Sequence, residues 1–300
     1  MASLQEIKSR IGSIKDTQKI TNAMYLLSST KLHRARADWE RTRPYFDALR
    51  SEIQRLLMTD RELESRSILK AGDPEPEGTW ACLVLTADRG LAGAYNMNVL
   101  KEAQKLLELH PDTRLFVLGN YGLHYFQSRG IPAEETVVGL KSNPRIQDAR
   151  DLAAQVLEPY QSGEYTQLYV VYTDMKNGLT QEARSERLLP FRQEALLPNG
   201  GEAAMSVDYE CVPGAAAVLE TILPGFLVGY LYSALVDSYC CEQNARMTAM
   251  KAANDNAEEM LHNLSIQYNR VRQTNITQEI TEVSSGARAQ QRKHEQEGTE

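Results

Sequence analysis

The chain has 300 residues and a mass of 33.7 kDa, with 42% apolar and 24% charged residues, an ordinary globular composition that excludes wholesale disorder and leaves room for two structural units. Its net charge of −7 weighs against a nucleic-acid binder. No stretch reads as the roughly 18 uncharged apolar residues of a membrane span, and the start, MASLQEIKSR, lacks the apolar core of a secretory signal. The four cysteines (Cys82, Cys211, Cys240, Cys241) show no C-x-x-C and no metal spacing, so a reduced, cytosolic compartment is expected.

Charge and proline divide the chain. Residues 1–58 carry eleven Lys/Arg against six Asp/Glu, whereas residues 225–300 carry seven against ten. All eleven prolines lie between Pro44 and Pro224. Both ends can therefore be uninterrupted helix, and the middle cannot.

At the N-terminal end, Leu4, Ile7, Ile11 and Ile14 step by 3, 4, 3, the spacing of one narrow helical stripe. The stripe is expected to shift register at Thr17–Gln18–Lys19 and to resume at Ile20, Met24 and Leu27. Pro44 is expected to kink or interrupt the helix, with Tyr45, Phe46, Leu49, Ile53 and Leu56 carrying the pattern on to about residue 58.

The middle alternates strand and helix. WACLVLTA (80–87) reads as a buried parallel strand, 97–109 as an amphipathic helix and RLFVLG (114–119) as a second strand. A helix at 121–130, a short strand at 136–140, a helix at 149–160 and a strand at 167–174 follow, with EARSERLLP (182–190) as a candidate antiparallel edge strand. This is the pattern of an α/β domain with a largely parallel sheet. The loop after the first strand, Asp88-Arg89-Gly90-Leu91-Ala92-Gly93, is neither G-x-G-x-x-G nor a Gly-Lys-Ser/Thr phosphate loop. Its glycines read as permitting a tight strand-to-helix turn. The five histidines have no paired metal spacing, and no nucleophile motif is present. No catalytic, cofactor or metal site is expected.

At the C-terminal end, Met247, Met250, Asn254, Ala257, Leu261, Leu264, Tyr268, Val271 and Asn275 alternate steps of 3 and 4, flanked by polar residues. So thin a stripe packs on one other helix, and its asparagines suit register more than stability. The organisation expected is an N-terminal coiled-coil helix (1–58), an α/β domain (59–212), and a C-terminal coiled-coil helix (213–300) with a flexible tail after about 286. The two ends then form an antiparallel coiled coil beside the α/β domain. The same stripes also fit a plain helical bundle or two helices crossing a domain surface.

Four segments carry a family likeness: IKSRIGSIKDTQKITNAM (7–24), LTADRGLAGAYNMN (85–98), EQNARMTAMKAANDNAEEM (242–260) and YNRVRQTNITQEITEVSSGA (268–287). They resemble the γ subunit of F-type ATP synthases, the central rotor stalk, in order and spacing. The resemblance implies two terminal helices in a coiled coil beside a Rossmann-like α/β domain. It implies a subunit with no catalytic site of its own, working within an H+-transporting ATP synthase. Its partners would be the α and β subunits of the ring, the ε subunit and the membrane c-ring, on the cytoplasmic face of a bacterial plasma membrane. By position, Met24, Arg272, Gln273 and Thr277 match family residues at the β subunit, and Asp88, Arg89 and Gly90 match a signature taken as structural. The chain departs from the family at Asn22, where Lys is common, at Leu26–Thr30, and at Cys211–Val212 near the foot. Two other readings are a coiled-coil scaffold paralogue that has lost rotary coupling and a nucleotide-dependent enzyme on the α/β domain; the missing phosphate loop weighs against the second.

Overall fold

A computed structural model describes residues 4–59, 65–70, 72–136, 143–175, 180–196 and 211–297. The first helix, α1 (Leu4–Thr59), is followed by β1 (Ile68–Leu69), β2 (Trp80–Leu85), α2 (Tyr95–Leu109), β3 (Arg114–Leu118), α3 (Asn120–Gln127), β4 (Glu134–Glu135), α4 (Ile146–Ser162), β5 (Gln167–Met175), β6 (Gln181–Leu189), β7 (Phe191–Arg192), α5 (Gln193–Leu196) and α6 (Ala215–Glu297). Two units emerge: Met1–Leu26 with Met250–Glu300, and Leu27–Ala249.

In the larger unit, five strands lie in the order β4-β3-β2-β5-β6, with β6 antiparallel to β5 at the edge and the other pairs parallel. The central strand β2 is buried at every position but its first, as a sheet covered on both faces requires. Its side chains alternate between two cores. Leu83 and Leu85 join residues of α4, α1 and α6, such as Leu152, Ile53 and Leu231. Cys82 and Val84 join α2 and α3 through Val99, Leu100 and Phe126. Each fully buried Leu here contributes about 1.5–3 kcal/mol. The short strand expected at 136–140 is displaced to β4, two residues earlier; residues 137–140 lie outside the described residues.

Three expectations need correction. First, Pro44 does not interrupt α1; Pro224 likewise lies inside a continuous helix, α6, which begins at Ala215. Both prolines are exposed, as are Glu40 and Glu220 four residues before them. The carbonyl that each ring leaves without its helical donor therefore faces water, and burial of Phe46, Ile53, Leu219 and Leu227 holds the helix through. Secondly, the start of α6 is, by length and composition, apolar enough to cross a membrane. Leu219, Leu223, Leu227, Leu231 and Leu235 form its buried row in the protein core. Close packing there depends on Gly229, where a Cβ would lie 2.2 Å from Cδ1 of Phe46. Thirdly, α6 stays helical to Glu297, past the point after 286 where a flexible tail is expected. Ala, Gln, Arg, Lys and Glu, all good helix formers, dominate that stretch.

In the smaller unit, the apolar seam of α1 does not shift register. Ile20 is 61% exposed, while Gln18 and Thr21 occupy the seam, half-buried, in unbroken 3-4 alternation from Leu4. Their polarity is met across the pair. Gln18 Nε2 donates to Glu258 Oε1 at 3.5 Å, and Thr21 Oγ1 donates to Asn254 Oδ1. As residue numbers rise on α1 they fall on α6, so the pair is antiparallel. The seam of α6 runs through Met250 and Ala257, both buried, and Leu261, Leu264, Tyr268 and Val271, half-buried; Asn275, expected in it, is exposed. In this register Leu4 stands opposite about Val271, so Asn275 lies past the start of α1.

Candidate functional site

The first candidate is the loop leaving β2. In an open α/β sheet, ligands settle at the carboxyl ends of the strands where strand order reverses. Here that point lies between β2 and β5. The loop is built from short-range necessity. Thr86 Oγ1 donates to Leu118 O at 2.8 Å and accepts from Gly122 N at 3.1 Å, tying β2 to β3 and to the first turn of α3. This draws the chain so close that Gly119, at φ 97°, has room for hydrogen only: a Cβ would lie 2.2 Å from Thr86 O. Asp88 Oδ1 then accepts from the backbone N–H of Asn120 at 3.1 Å and from its amide at 3.3 Å. The carboxylate caps α3, whose own N-cap is a glycine with no side chain to offer.

Residues of α6 fill the crevice. Ala87, Ala92 and Tyr95 pack on Cys241 and Ala245. Arg246 donates through Nη2 to the carbonyls of Arg89 (3.3 Å) and Gly90 (3.2 Å), and pairs through Nη1 with Glu242 Oε1 at 2.5 Å. Both side chains are about nine-tenths buried. Burial pushes the Glu242 carboxyl above its ordinary value although Arg246 opposes it. Backbone carbonyls here converge on a guanidinium, the opposite polarity to the converging N–H groups of a phosphate-binding loop. The arrangement clamps a loop, with Arg246 and Glu242 spent on each other and on its carbonyls.

The second candidate is the outer surface of the helix pair in the smaller unit. Met24 is half-buried beside the seam, while Arg272, Gln273 and Thr277 are exposed on α6. Thr277 Oγ1 donates to Gln273 O at 2.8 Å, a bond within the helix that leaves its lone pairs outward. The three α6 residues lie within two turns of one another. Met24 faces about residue 251, about 30 Å back along the shaft at 1.5 Å per residue, so the helix pair does not bring it to them. Every residue from Arg272 to Gln290 is exposed.

Sequence reasoning missed two features. Ile276, Ile280 and Val283 are 47%, 63% and 72% exposed and step by 4 and 3, a second apolar stripe displaced by one residue, about 100°, from the seam. Glu242 and Arg246 were legible as an i, i+4 pair, but their burial was not, since nothing local shows that a polar stretch of a long helix enters a domain core.

A family model described as ATP synthase matches residues 3–290. The ATP synthase gamma chain of Macrococcus caseolyticus is 36% identical over 299 residues, covering 96% of this chain and 99% of its own length. The sodium-ion-specific ATP synthase gamma chain of Acetobacterium woodii is 35% identical, covering 96% and 98%. Among solved structures, a chain of the Euglena gracilis mitochondrial ATP synthase superposes with a TM-score of 0.63 at 16% identity, covering 95% of this chain and 94% of that one.

Proposed function

The chain belongs to the γ-chain family of ATP synthases, and from that premise we propose which of its surfaces do the family's work. A γ chain is a central-stalk subunit of an F-type ATP synthase, non-catalytic itself within the complex that interconverts ATP synthesis and ion flow. In our reading, the free end of α6 turns inside a ring of α and β subunits. Arg272, Gln273 and Thr277 hydrogen-bond to β there, and Met24 touches β about 30 Å lower on the shaft. The ε subunit and the c-ring of the membrane sector bind elsewhere on the chain. Coupling is differential contact: each face of an asymmetric axle stabilises one β conformation over the others, so rotation moves the catalytic sites through their states in turn.

The carrying observation is the exposed end of α6, which presents a guanidinium, an amide and a hydroxyl together with the Ile276–Ile280–Val283 stripe. Such a surface suits a close-fitting sleeve better than bulk water. Asp88, Arg89 and Gly90 serve structurally, as cap and carbonyl anchors of the clamped loop. We place the complex on the cytoplasmic face of a bacterial plasma membrane with the proton as coupling ion.

Coexpression with an α₃β₃ ring tests the reading. The chain is expected to copurify, and truncation after Val271 is expected to abolish coupled ATP synthesis in membrane vesicles while the α/β unit stays folded. Normal coupling by the truncated chain would refute it. Collapse of synthesis with a protonophore, and not with a sodium ionophore, tests the ion.

A further inference from the structure

One layer of the helix pair breaks the apolar rule of the rest. Thr21 and Asn254 are half-buried in the seam and bonded across it, and half-buried Gln18, one step along the seam, donates to the exposed Glu258. Meanwhile Ile20, the neighbour of Thr21, is left 61% exposed. A helix optimised for pairing strength alone would have buried Ile20 and turned Thr21 outward. We infer that the Thr21–Asn254 layer is a register lock: it sets the axial alignment of α1 on α6 at the expense of pairing strength.

The argument rests on what a slip would do. An apolar 3-4 seam is nearly self-similar after seven residues, so apolar contacts distinguish poorly between aligned and heptad-slipped pairs. In the observed register, residue numbers facing across the pair add to about 275. A slip of one heptad in one direction puts Asn254 opposite Ile14. The opposite slip puts Thr21 opposite Leu261 and Asn254 opposite Ser28. Thr21 has a fallback, because its single hydroxyl hydrogen can turn instead to the carbonyl of Thr17 or Gln18 within α1. The Asn254 carboxamide is bonded across the seam to Thr21, so it carries the discrimination. In the slip that sets it against Ile14, an amide left facing an aliphatic side chain costs about a tenfold factor in the equilibrium between registers. A lock of this kind matters in a shaft that bears torque, where a slipped register is the competing low-energy state.

Cysteine pairs in the full-length chain test this, in a background carrying Cys211→Ser, the one cysteine that is not buried. Ile11→Cys combined with Leu264→Cys reports the aligned register. Ile11→Cys with Ala257→Cys, or with Val271→Cys, reports slips of one heptad each way. Under mild oxidation the aligned pair is expected to give at least about tenfold more intramolecular disulfide than the Ala257 pair, whose register sets Asn254 against Ile14, and a smaller excess over the Val271 pair. Adding Thr21→Val with Asn254→Leu should bring the slipped yields within about threefold of the aligned one and raise the melting temperature, since apolar groups then fill the layer. Asn254→Ala alone should loosen register in the same direction. Unchanged selectivity in these variants, or a lower melting temperature for the doubly apolar layer, would overturn the inference.

Discussion

Replacing Arg246 by methionine isolates the clamp at the end of β2. Methionine keeps much of the aliphatic volume but removes the 2.5 Å ion pair with Glu242 and the two hydrogen bonds to Arg89 and Gly90. Deleting one partner of a buried pair typically costs about 3–5 kcal/mol, because the other charge stays behind uncompensated. Glu242 already has a raised pKa through burial, with Arg246 holding it down; without the guanidinium it rises further. A carboxyl raised on folding contributes stability that is fully present below its unfolded value, 4.5, and is lost as pH rises through the folded one. The deficit of Arg246→Met is therefore largest near neutral pH and shrinks toward about pH 5. Adding Glu242→Gln should return most of the loss, since a neutral pair needs no counter-charge. Urea unfolding of the full-length chain followed by circular dichroism, at about pH 7.5 and about pH 5, measures all three variants. A loss below about 1 kcal/mol, a loss independent of pH, or a double variant no better than the single would refute the clamp.

Gly119→Ala is expected to cost more than about 2 kcal/mol in the same assay, since it forces a Cβ onto Thr86 O at a left-handed φ. Asp237, pushed up to about 6 by burial and by Asp174, against the opposing Arg184 and a hydrogen bond from Ser233, withdraws stability as pH rises through 6. Asp237→Asn should then stabilise the chain by up to about 3 kcal/mol at pH 8 and have no effect below about pH 4; a uniform shift across pH would count against it. Gln273→Ala with Thr277→Ala should lower ATP synthesis in vesicles several-fold, about 1 kcal/mol for each lost contact, with helicity unchanged because both side chains are exposed. Normal synthesis would reduce these positions to a solvated helix face.

Periodicity and proline placement were enough to read the architecture, because both report on backbone hydrogen bonding along whole elements. Strands β2, β3 and β5, the antiparallel β6 and the thin seam of α6 from Met250 to Val271 follow from residue type and spacing. Errors arose where packing overrode local preference. Ile20 and Leu27 look like seam residues by hydrophobicity, yet both are exposed, because Thr21 finds a partner in Asn254 that no single-helix pattern can show. Pro44 and Pro224 look like breaks, yet each faces solvent, where a freed carbonyl is satisfied by water. The contacts of Asp88 and Arg246 span 32 and more than 150 residues, a separation at which sequence spacing carries no information.

The bare end of α6 has a consequence for folding order. Nineteen consecutive residues, Arg272 to Gln290, make a helix with every side chain exposed, about 28 Å of it. A single helix of that length is marginal in water, since nucleation is costly and no packing compensates. In the free chain its amides should exchange with solvent within reach of a millisecond-to-second labelling pulse, while those of the paired seam stay protected. Enclosure by a partner would slow the exchange of that end alone. The exchange rate of this end of α6 would thus gauge assembly, falling only when something surrounds it.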